Sequence, residues 1–222
     1  MSDPPIGRER RAPSRMKRCY AGSIIGIDLD NTLICYDELF VTLAIANGIV
    51  PANYTGRKRD IRDRIRSLPN GDVDWQRLQA QAYGPAISGA VLAPGALEFI
   101  RAARQQAAAV VIVSHKTPFS NLGSETVNLQ DTAREWLHGQ RVLAPDAVLE
   151  QNLYFEPTRD AKIARVAQLG CTHFIDDLEE VFDDAAVPVG VERMLFEPPP
   201  QRSPRAYRSY RSFAEIAYEF AD

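Results

Sequence analysis

The amino-acid sequence predicts an α/β fold built on a central, mostly parallel sheet that is flanked by helices. Five short apolar runs, several of them rich in β-branched residues, lack polar alternation and therefore indicate strands buried on both faces. Helical patterns separate most of these runs, and such alternation is typical of α/β proteins. The runs are Ser23–Asp30, Ala109–Val113, Asn152–Phe155, Thr172–Ile175 and Met194–Phe196.

Two helical patterns lie between the predicted strands. One begins at Pro94 and places Leu97, Ile100 and Ala103 on a single face. The other covers Asp160–Leu169 and is followed by Gly170, a residue typical of the position just after a helix. Together with the strands they assign residues 22–35 and 91–197 to one α/β core.

Residues 36–90 interrupt this alternation, because they contain helical patterns and no convincing strand. Helices are predicted over Asp37–Asn47, Arg57–Leu68 and Trp75–Tyr83. We therefore expect a small helical insertion that packs over one end of the sheet. Residues 198–222 are assigned to a tail, in which Ser212–Glu215 has the form of a capping box that begins a short terminal helix.

The composition is that of an ordinary globular protein, and the net charge of −3 gives no general indication of nucleic-acid binding. No apolar run reaches the roughly 20 residues that a membrane helix needs. Residues 1–21 are predicted to form a flexible Arg- and Pro-rich arm without a secretory signal, and Met16 is a second candidate start. The three cysteines form no metal-binding pattern, so a cytoplasmic protein is expected.

The segment Asp28-Leu29-Asp30-Asn31-Thr32-Leu33 follows the first predicted strand and is the most informative part of the sequence. Ligands of open α/β sheets bind beyond the carboxyl ends of the strands. Because alternate residues of an extended chain share a face, Asp28 and Asp30 can converge on one point, where a hard cation such as Mg²⁺ would relieve their repulsion. The alternative is an ordinary turn in which these polar side chains cap the backbone.

Four more polar residues lie directly after other predicted strands or near the start of a predicted helix. Asp176 and Asp177 follow another apolar strand, as a metal site shared between strands requires, although a helix N-terminus would also favour acids there. Ser114 follows a strand directly and can donate to a phosphoryl oxygen, or it can be a simple turn residue. Lys162 lies near a helix start, either as a cation for an anionic site or as a solvated surface lysine.

Taken in chain order, these segments resemble the motifs of the haloacid dehalogenase superfamily. The resemblance implies a Rossmann-like core, a small helical cap of the C1 class after the first strand, and phosphate-ester hydrolysis, because an acid stands at residue 30. It implies Asp28 as nucleophile, Asp30 as acid/base, and Ser114 and Lys162 as the second and third motifs. Mg²⁺ would be held by the Asp28 carboxylate, the Asp30 backbone carbonyl, Asp176 and Asp177.

The same resemblance makes Asn31, Thr32, Ser114, His115 and Lys116 candidate substrate-binding residues. It leaves open whether Lys116 or Lys162 serves the phosphate. General acid catalysis by Asp30 near neutral pH leads us to expect a raised pKa for its carboxyl, which a crowded anionic site can produce. The expected substrate is a small phosphorylated metabolite, with a sugar phosphate as the first guess.

Two other functions are compatible with the sequence. A phosphotransferase would use the same site and pass the phosphoryl group to an alcohol. A binding module would instead use the basic termini to hold nucleic acid or a protein partner. The basic helix at Arg57–Arg66 suggests attraction of an anionic substrate, or simply a solvated helix face. Nothing in the sequence indicates the oligomeric state.

Overall fold

The computed structural model describes residues 20–120, 122, 127–196 and 207–220. The arm predicted for residues 1–21 lies outside this part of the chain except for its last two residues. Tyr20 is one of these and is not part of a flexible arm, because its ring is buried with an edge-on contact to Phe99. No helix in the described ranges is both long and apolar enough to span a bilayer.

The described residues form eight strands in two sheets. Six parallel strands make the central sheet in the order β5-β4-β1-β6-β7-β8, and the antiparallel pair β2–β3 makes a second, small sheet. The strands are β1 (Ile24–Ile27), β2 (Ile34–Cys35), β3 (Val91–Leu92), β4 (Ala109–His115), β5 (Leu153–Glu156), β6 (His173–Asp176), β7 (Glu192–Phe196) and β8 (Arg208–Tyr210). The predicted mostly parallel α/β sheet is thereby confirmed.

Eight helices accompany the strands in the described part of the chain. They are α1 (Asp37–Ala46), α2 (Lys58–Arg66), α3 (Gly71–Tyr83), α4 (Ala96–Gln105), α5 (Leu129–Gly139), α6 (Arg159–Gln168), α7 (Glu179–Phe182) and α8 (Phe213–Phe220). Short 3-10 turns occur at Ile87–Gly89 and Glu150–Asn152. Gly170 follows α6 with φ +65°, the left-handed conformation that a helix-ending glycine adopts readily.

Two apolar clusters cover opposite faces of the central sheet. Along β4, Val110 and Ile112 belong to one cluster whereas Val111 and Val113 belong to the other, as the alternation of a strand requires. The larger cluster joins the sheet to α4, α5 and α8, and also to the insertion helices α1, α2 and α3. The smaller cluster joins it to α6 and α7. The helices therefore flank the sheet on both sides.

The insertion between β2 and β3 consists of α1, α2, α3 and a 3-10 turn, with no strand between residues 36 and 90. Its helices pack on one another through Phe40 and Trp75, whose rings stack with centroids 5.0 Å apart. Gly71 permits the close approach of α3 to α2, since a Cβ there would lie 2.1 Å from the Ile65 carbonyl oxygen. Assignment of this insertion as a C1-class cap remains a prediction.

Three elements differ from the sequence-based expectations. Helix α5 was not predicted, and β4 continues through His115, so that Ser114 lies inside the strand rather than after it. The segment assigned to a tail contributes β8, the sixth strand of the central sheet, and α8. As predicted, the Ser212 hydroxyl accepts a hydrogen bond from the Glu215 amide at 3.2 Å at the start of α8.

Candidate active site

A tight turn after β1 positions the first acidic residues. The Asp28 amide donates to the carbonyl oxygen of Ile175 on β6 at 2.8 Å, which fixes Asp28 at the carboxyl edge of the sheet. The amides of Leu33 and Ile34 both donate to the Leu29 carbonyl and close the turn. The turn brings the buried Thr32 back to the nucleophile candidate, where its hydroxyl donates to Asp28 Oδ2 at 3.3 Å.

Lys162 is buried and lies between two carboxylates. Thr158 is the N-cap of helix α6, and the first turns of this helix place the Lys162 ammonium 2.5 Å from Asp28 Oδ1 and 2.6 Å from Asp176 Oδ2. These charges raise the pKa of Lys162 despite the opposing effect of burial, so the ammonium stays charged. The surface-lysine interpretation of Lys162 is therefore wrong.

Three carboxylates converge at the ends of β1 and β6. Oxygens of Asp28, Asp176 and Asp177 all lie within 4.8 Å of one another, and Asp176 is held in place by the Leu178 amide, which donates to its Oδ1 at 2.9 Å. Burial and the neighbouring negative charges raise the pKa of the Asp28 and Asp177 carboxyls, whereas Lys162 opposes the rise. One ammonium does not neutralise three carboxylates, and an all-oxygen donor set suits Mg²⁺. The trio thus fits a metal site made of three of the four predicted ligand residues, and the carboxylate of the fourth, Asp30, is not part of the cluster.

Asp30 lies in a separate, more cationic environment. Its carboxylate is 2.8 Å from the Lys116 ammonium and accepts a hydrogen bond of 2.8 Å from the Tyr36 hydroxyl. Burial alone would raise the pKa of Asp30, but the charge and hydrogen bond of Lys116, together with Tyr36, lower it below its usual value. The expectation of a raised pKa at Asp30 is therefore wrong, because the acidic crowding affects Asp28 and Asp177 instead.

Both lysines that the sequence analysis predicted as candidates to bind the phosphate are buried beside carboxylates of the site. Lys162 pairs with Asp28 and Asp176, and Lys116 pairs with Asp30. Ser114 is also buried, and its hydroxyl has no hydrogen-bond partner among the described residues, so its donor capacity is unused. His115 lies between Ser114 and Lys116 in β4, but its side chain is exposed. Its ring nitrogen Nε2 forms a hydrogen bond of 3.1 Å with the Pro157 carbonyl oxygen.

Lys58 is a site residue that the motif-based reasoning missed. Its ammonium reaches from α2 to the Asn31 side-chain oxygen at 2.7 Å and to the Tyr83 hydroxyl at 2.9 Å. It also lies 5.0 to 5.7 Å from the ring centroids of Tyr36, Phe40 and Tyr83. Partial burial would lower the pKa of Lys58, but Tyr83 and the charges of Asp30 and Asp177 raise it. The only sequence signal was its place in a basic helix, where Arg neighbours obscured it.

A cavity of about 710 Å³ opens between the insertion and the loop after β6. Asn31 and Asp177 connect it to the acidic site, and Trp75 and Tyr83 contribute its apolar surface. Most of its charged residues are divided between two walls, and the acids Asp37 and Asp60 also line it on the insertion side. The α2 wall carries Arg57, Lys58, Arg59, Arg62 and Arg66, and the opposite wall carries Asp177, Glu179 and Glu180. The volume is within the range of roughly 300–1,000 Å³ that is usual for small-molecule sites.

Solved structures of other proteins share the fold of this chain. No family model and no curated protein matches the chain by sequence. A haloacid dehalogenase-like hydrolase from Streptococcus pneumoniae matches with a TM-score of 0.54 at 14% identity, over 88% of this chain and 97% of that one. A haloacid dehalogenase family hydrolase from Deinococcus radiodurans, with bound phosphate and sodium, matches with a TM-score of 0.50 at 19% identity, over 89% and 94%.

A third structure, of a protein suggested to be a phosphoglycolate phosphatase from Lactobacillus plantarum, matches with a TM-score of 0.50 at 13% identity. This match covers 91% of the present chain and 100% of the other. Identities this low establish similarity of fold and no more, but the three matches each span most of both chains. The six-stranded parallel sheet, its flanking helices and these matches agree. The chain therefore has the fold of the haloacid dehalogenase superfamily.

Proposed function

We propose that this protein is a Mg²⁺-dependent phosphatase that hydrolyses a small phosphoester through an aspartyl-phosphate on Asp28. The observation that carries the proposal is the convergence of Asp28, Asp176 and Asp177 around the buried Lys162 ammonium. A nucleophilic carboxylate next to fixed positive charge is what phosphoryl transfer from a dianion requires. The bound phosphate in the Deinococcus radiodurans structure of the same fold agrees with this assignment.

The acidic trio would hold the ion, together with the backbone carbonyl of Asp30 that the family resemblance implies. When bound, Mg²⁺ supplies positive charge that offsets the negative charge of the phosphoryl oxygens. Lys162 adds a second cation beside Asp28, and the Ser114 hydroxyl, which has no partner within the described ranges, can donate to a phosphoryl oxygen. These residues bind and orient the phosphoryl group for in-line attack.

The reaction has two steps. An Asp28 oxygen forms a bond to phosphorus while the bond to the ester oxygen breaks, and Asp30 gives that leaving oxygen a proton. Asp30 then removes a proton from water, whose oxygen attacks phosphorus and releases phosphate and the Asp28 carboxylate. The resting carboxylate of Asp30, held by Lys116 and Tyr36, suits the second step. The first step requires a protonated Asp30. The negative charge of an incoming phosphate dianion favours this protonated form.

The decisive test is Asp28→Asn with p-nitrophenyl phosphate and Mg²⁺. We expect phosphate release to fall to background, whereas the control Asp131→Asn, on the exposed surface of α5, retains wild-type turnover. Turnover by Asp28→Asn close to that of the wild type would exclude Asp28 as nucleophile. Turnover that persists in excess EDTA would exclude the metal.

Added alcohols separate hydrolysis from phosphoryl transfer. The chain is proposed to use water, so phosphate should account for all of the substrate consumed when glycerol or ethanol is present. Formation of a phosphorylated alcohol in amounts comparable to phosphate would identify a phosphotransferase with the same site. The substrate itself is proposed to be a small phosphorylated metabolite, and a panel of sugar phosphates is the first set to screen.

A further inference from the structure

The start of helix α2 carries three consecutive cations, Arg57, Lys58 and Arg59, on the wall of the cavity that leads to the acidic site. They do not have equivalent surroundings. Lys58 points into the site and is engaged by Asn31 and Tyr83. Arg57 and Arg59 are exposed, and among the described residues neither guanidinium contacts a carboxylate. Two cations on either side of Lys58, without a carboxylate partner in the described part of the chain, therefore line a cavity of small-molecule size.

The other arginines on this wall are already paired. Arg62 lies 2.8 Å from Asp63, and Arg66 lies 2.9 Å from Asp72. These ion pairs reduce the charge that either residue can offer to a ligand. The sequence suggested that the whole basic helix could attract an anion. In the structure, the arginines that remain for this role are Arg57 and Arg59, at the start of α2.

The acids near this end of α2 are occupied as well. Asp37 Oδ1 accepts from the Lys58 amide at 3.0 Å, and Asp60 Oδ2 accepts from the Arg57 amide at 2.9 Å. Both carboxylates satisfy backbone donors at the helix start, so they fix its position without pairing with the Arg57 or Arg59 guanidinium. The acids of the opposite wall, Glu179 and Glu180, lie beside the proposed metal ligand Asp177. A ligand anion is consequently favoured on the α2 side.

We propose that Arg57 and Arg59 bind a second anionic group of the substrate, a carboxylate or a further phosphate, while its reacting phosphoryl group lies at Asp28. This inference rests on the proposed phosphatase function and narrows its substrate class to phosphoesters with two anionic ends. A phosphoryl group alone occupies a small part of the cavity of about 710 Å³. Guanidinium groups are suited to the far end because they bind carboxylate and phosphate oxygens through paired N–H donors.

Matched substrate pairs test the inference directly. Glycerol 3-phosphate and 3-phosphoglycerate differ in one carboxylate, and fructose 6-phosphate and fructose 1,6-bisphosphate differ in one phosphate. We expect the wild type to prefer the doubly anionic member of at least one pair in kcat/KM. In Arg57→Gln/Arg59→Gln this preference should fall about tenfold or more, as expected for loss of a hydrogen bond to a charged group. Arg77→Gln/Arg141→Gln removes the same charge from exposed positions outside the cavity and should keep the preference.

A binding measurement separates failure of this inference from failure of the proposed function. Calorimetric titrations of Asp28→Asn with 3-phosphoglycerate and with fructose 1,6-bisphosphate need no turnover. Introducing Arg57→Gln/Arg59→Gln into that background should raise Kd about tenfold, and the Arg77/Arg141 control should leave it unchanged. An unaltered Kd, or an unaltered substrate preference in an active enzyme, overturns the second-anion site. If the wild type shows no phosphatase activity but the double arginine substitution still raises Kd, only the proposed reaction is overturned.

Discussion

Removal of the Lys162 ammonium provides the strongest test of the charge arrangement in the site. Lys162→Met keeps an unbranched side chain of similar length but deletes bonds of 2.5 Å to Asp28 and 2.6 Å to Asp176. Each hydrogen bond to a charged group contributes about 1.5–3 kcal/mol. Breaking a buried ion pair from one side usually costs about 3–5 kcal/mol, because the remaining charge is buried without a partner.

We therefore expect Lys162→Met to lower the free energy of unfolding by about 3–5 kcal/mol in EDTA. For a chain of this size this corresponds to a fall in Tm on the order of 10 °C. Urea unfolding at pH 7.5, monitored by circular dichroism, measures the change. The raised pKa of Lys162 means that the wild-type ammonium is charged at this pH, so the comparison isolates one positive charge.

Two further measurements decide whether charge is the cause. Mg²⁺ should stabilise Lys162→Met more than the wild type, because the ion supplies the missing positive charge beside the carboxylates. Asp28→Asn added to Lys162→Met should recover part of the lost stability, since it removes one of the unpaired anions. If Lys162→Met unfolds at the wild-type urea concentration, or if Asp28→Asn has no effect in that background, the charge reasoning is refuted.

Three more predictions concern the core. Gly26→Ala should lower the free energy of unfolding in urea by about 1–3 kcal/mol, because the new Cβ would lie 2.8 Å from the Phe174 ring. Gly139→Ala is the control, since a Cβ at residue 139 meets open space. Equal stability of the two variants would contradict the packing. Phe213→Ala should cost about 3–5 kcal/mol if α8 belongs to the core, whereas a solvated tail predicts no loss. Burial raises the pKa of Cys171 to about 11, so iodoacetamide at pH 8 should modify it only after unfolding. Because Cys35 also carries a thiol, the labelled cysteine must be located by peptide mapping, and rapid labelling of Cys171 itself in the native protein would be inconsistent with its environment.

The predicted strands and the convergence of Asp28, Asp176 and Asp177 agree with the structure because both depend on local patterns with a strong physical basis. Apolar runs without alternation are characteristic of buried parallel strands, and the β1 and β4 runs indeed lie inside the sheet. Aspartates at the ends of such strands meet at one edge, as Asp28 and Asp176 do. The identity of these elements was therefore readable from residues close together in the sequence.

The parts that were missed depend on contacts between distant segments. The β8 sequence Arg208-Ser209-Tyr210 is short and polar, and it becomes a strand because it pairs with β7 while Arg208 lies 3.5 Å from Glu192. The role of Lys58 requires the insertion to fold back over the first turn, where Asn31 is located 27 residues earlier. The lowered pKa of Asp30 likewise depends on Lys116, which the sequence separates from it by the whole insertion and by β3, α4 and β4.

The position of β1 in the sheet has a consequence for how the protein reaches its native state. The nucleophile candidate Asp28 follows this strand directly, yet both neighbours of the strand, β4 and β6, come later in the chain, and the Asp28–Lys162 contact spans 134 residues. Contacts of such long sequence separation form slowly during folding. In refolding experiments the capacity to bind Mg²⁺ should consequently return together with the sheet rather than before it, and an apolar β1 must stay unpaired until the later strands arrive.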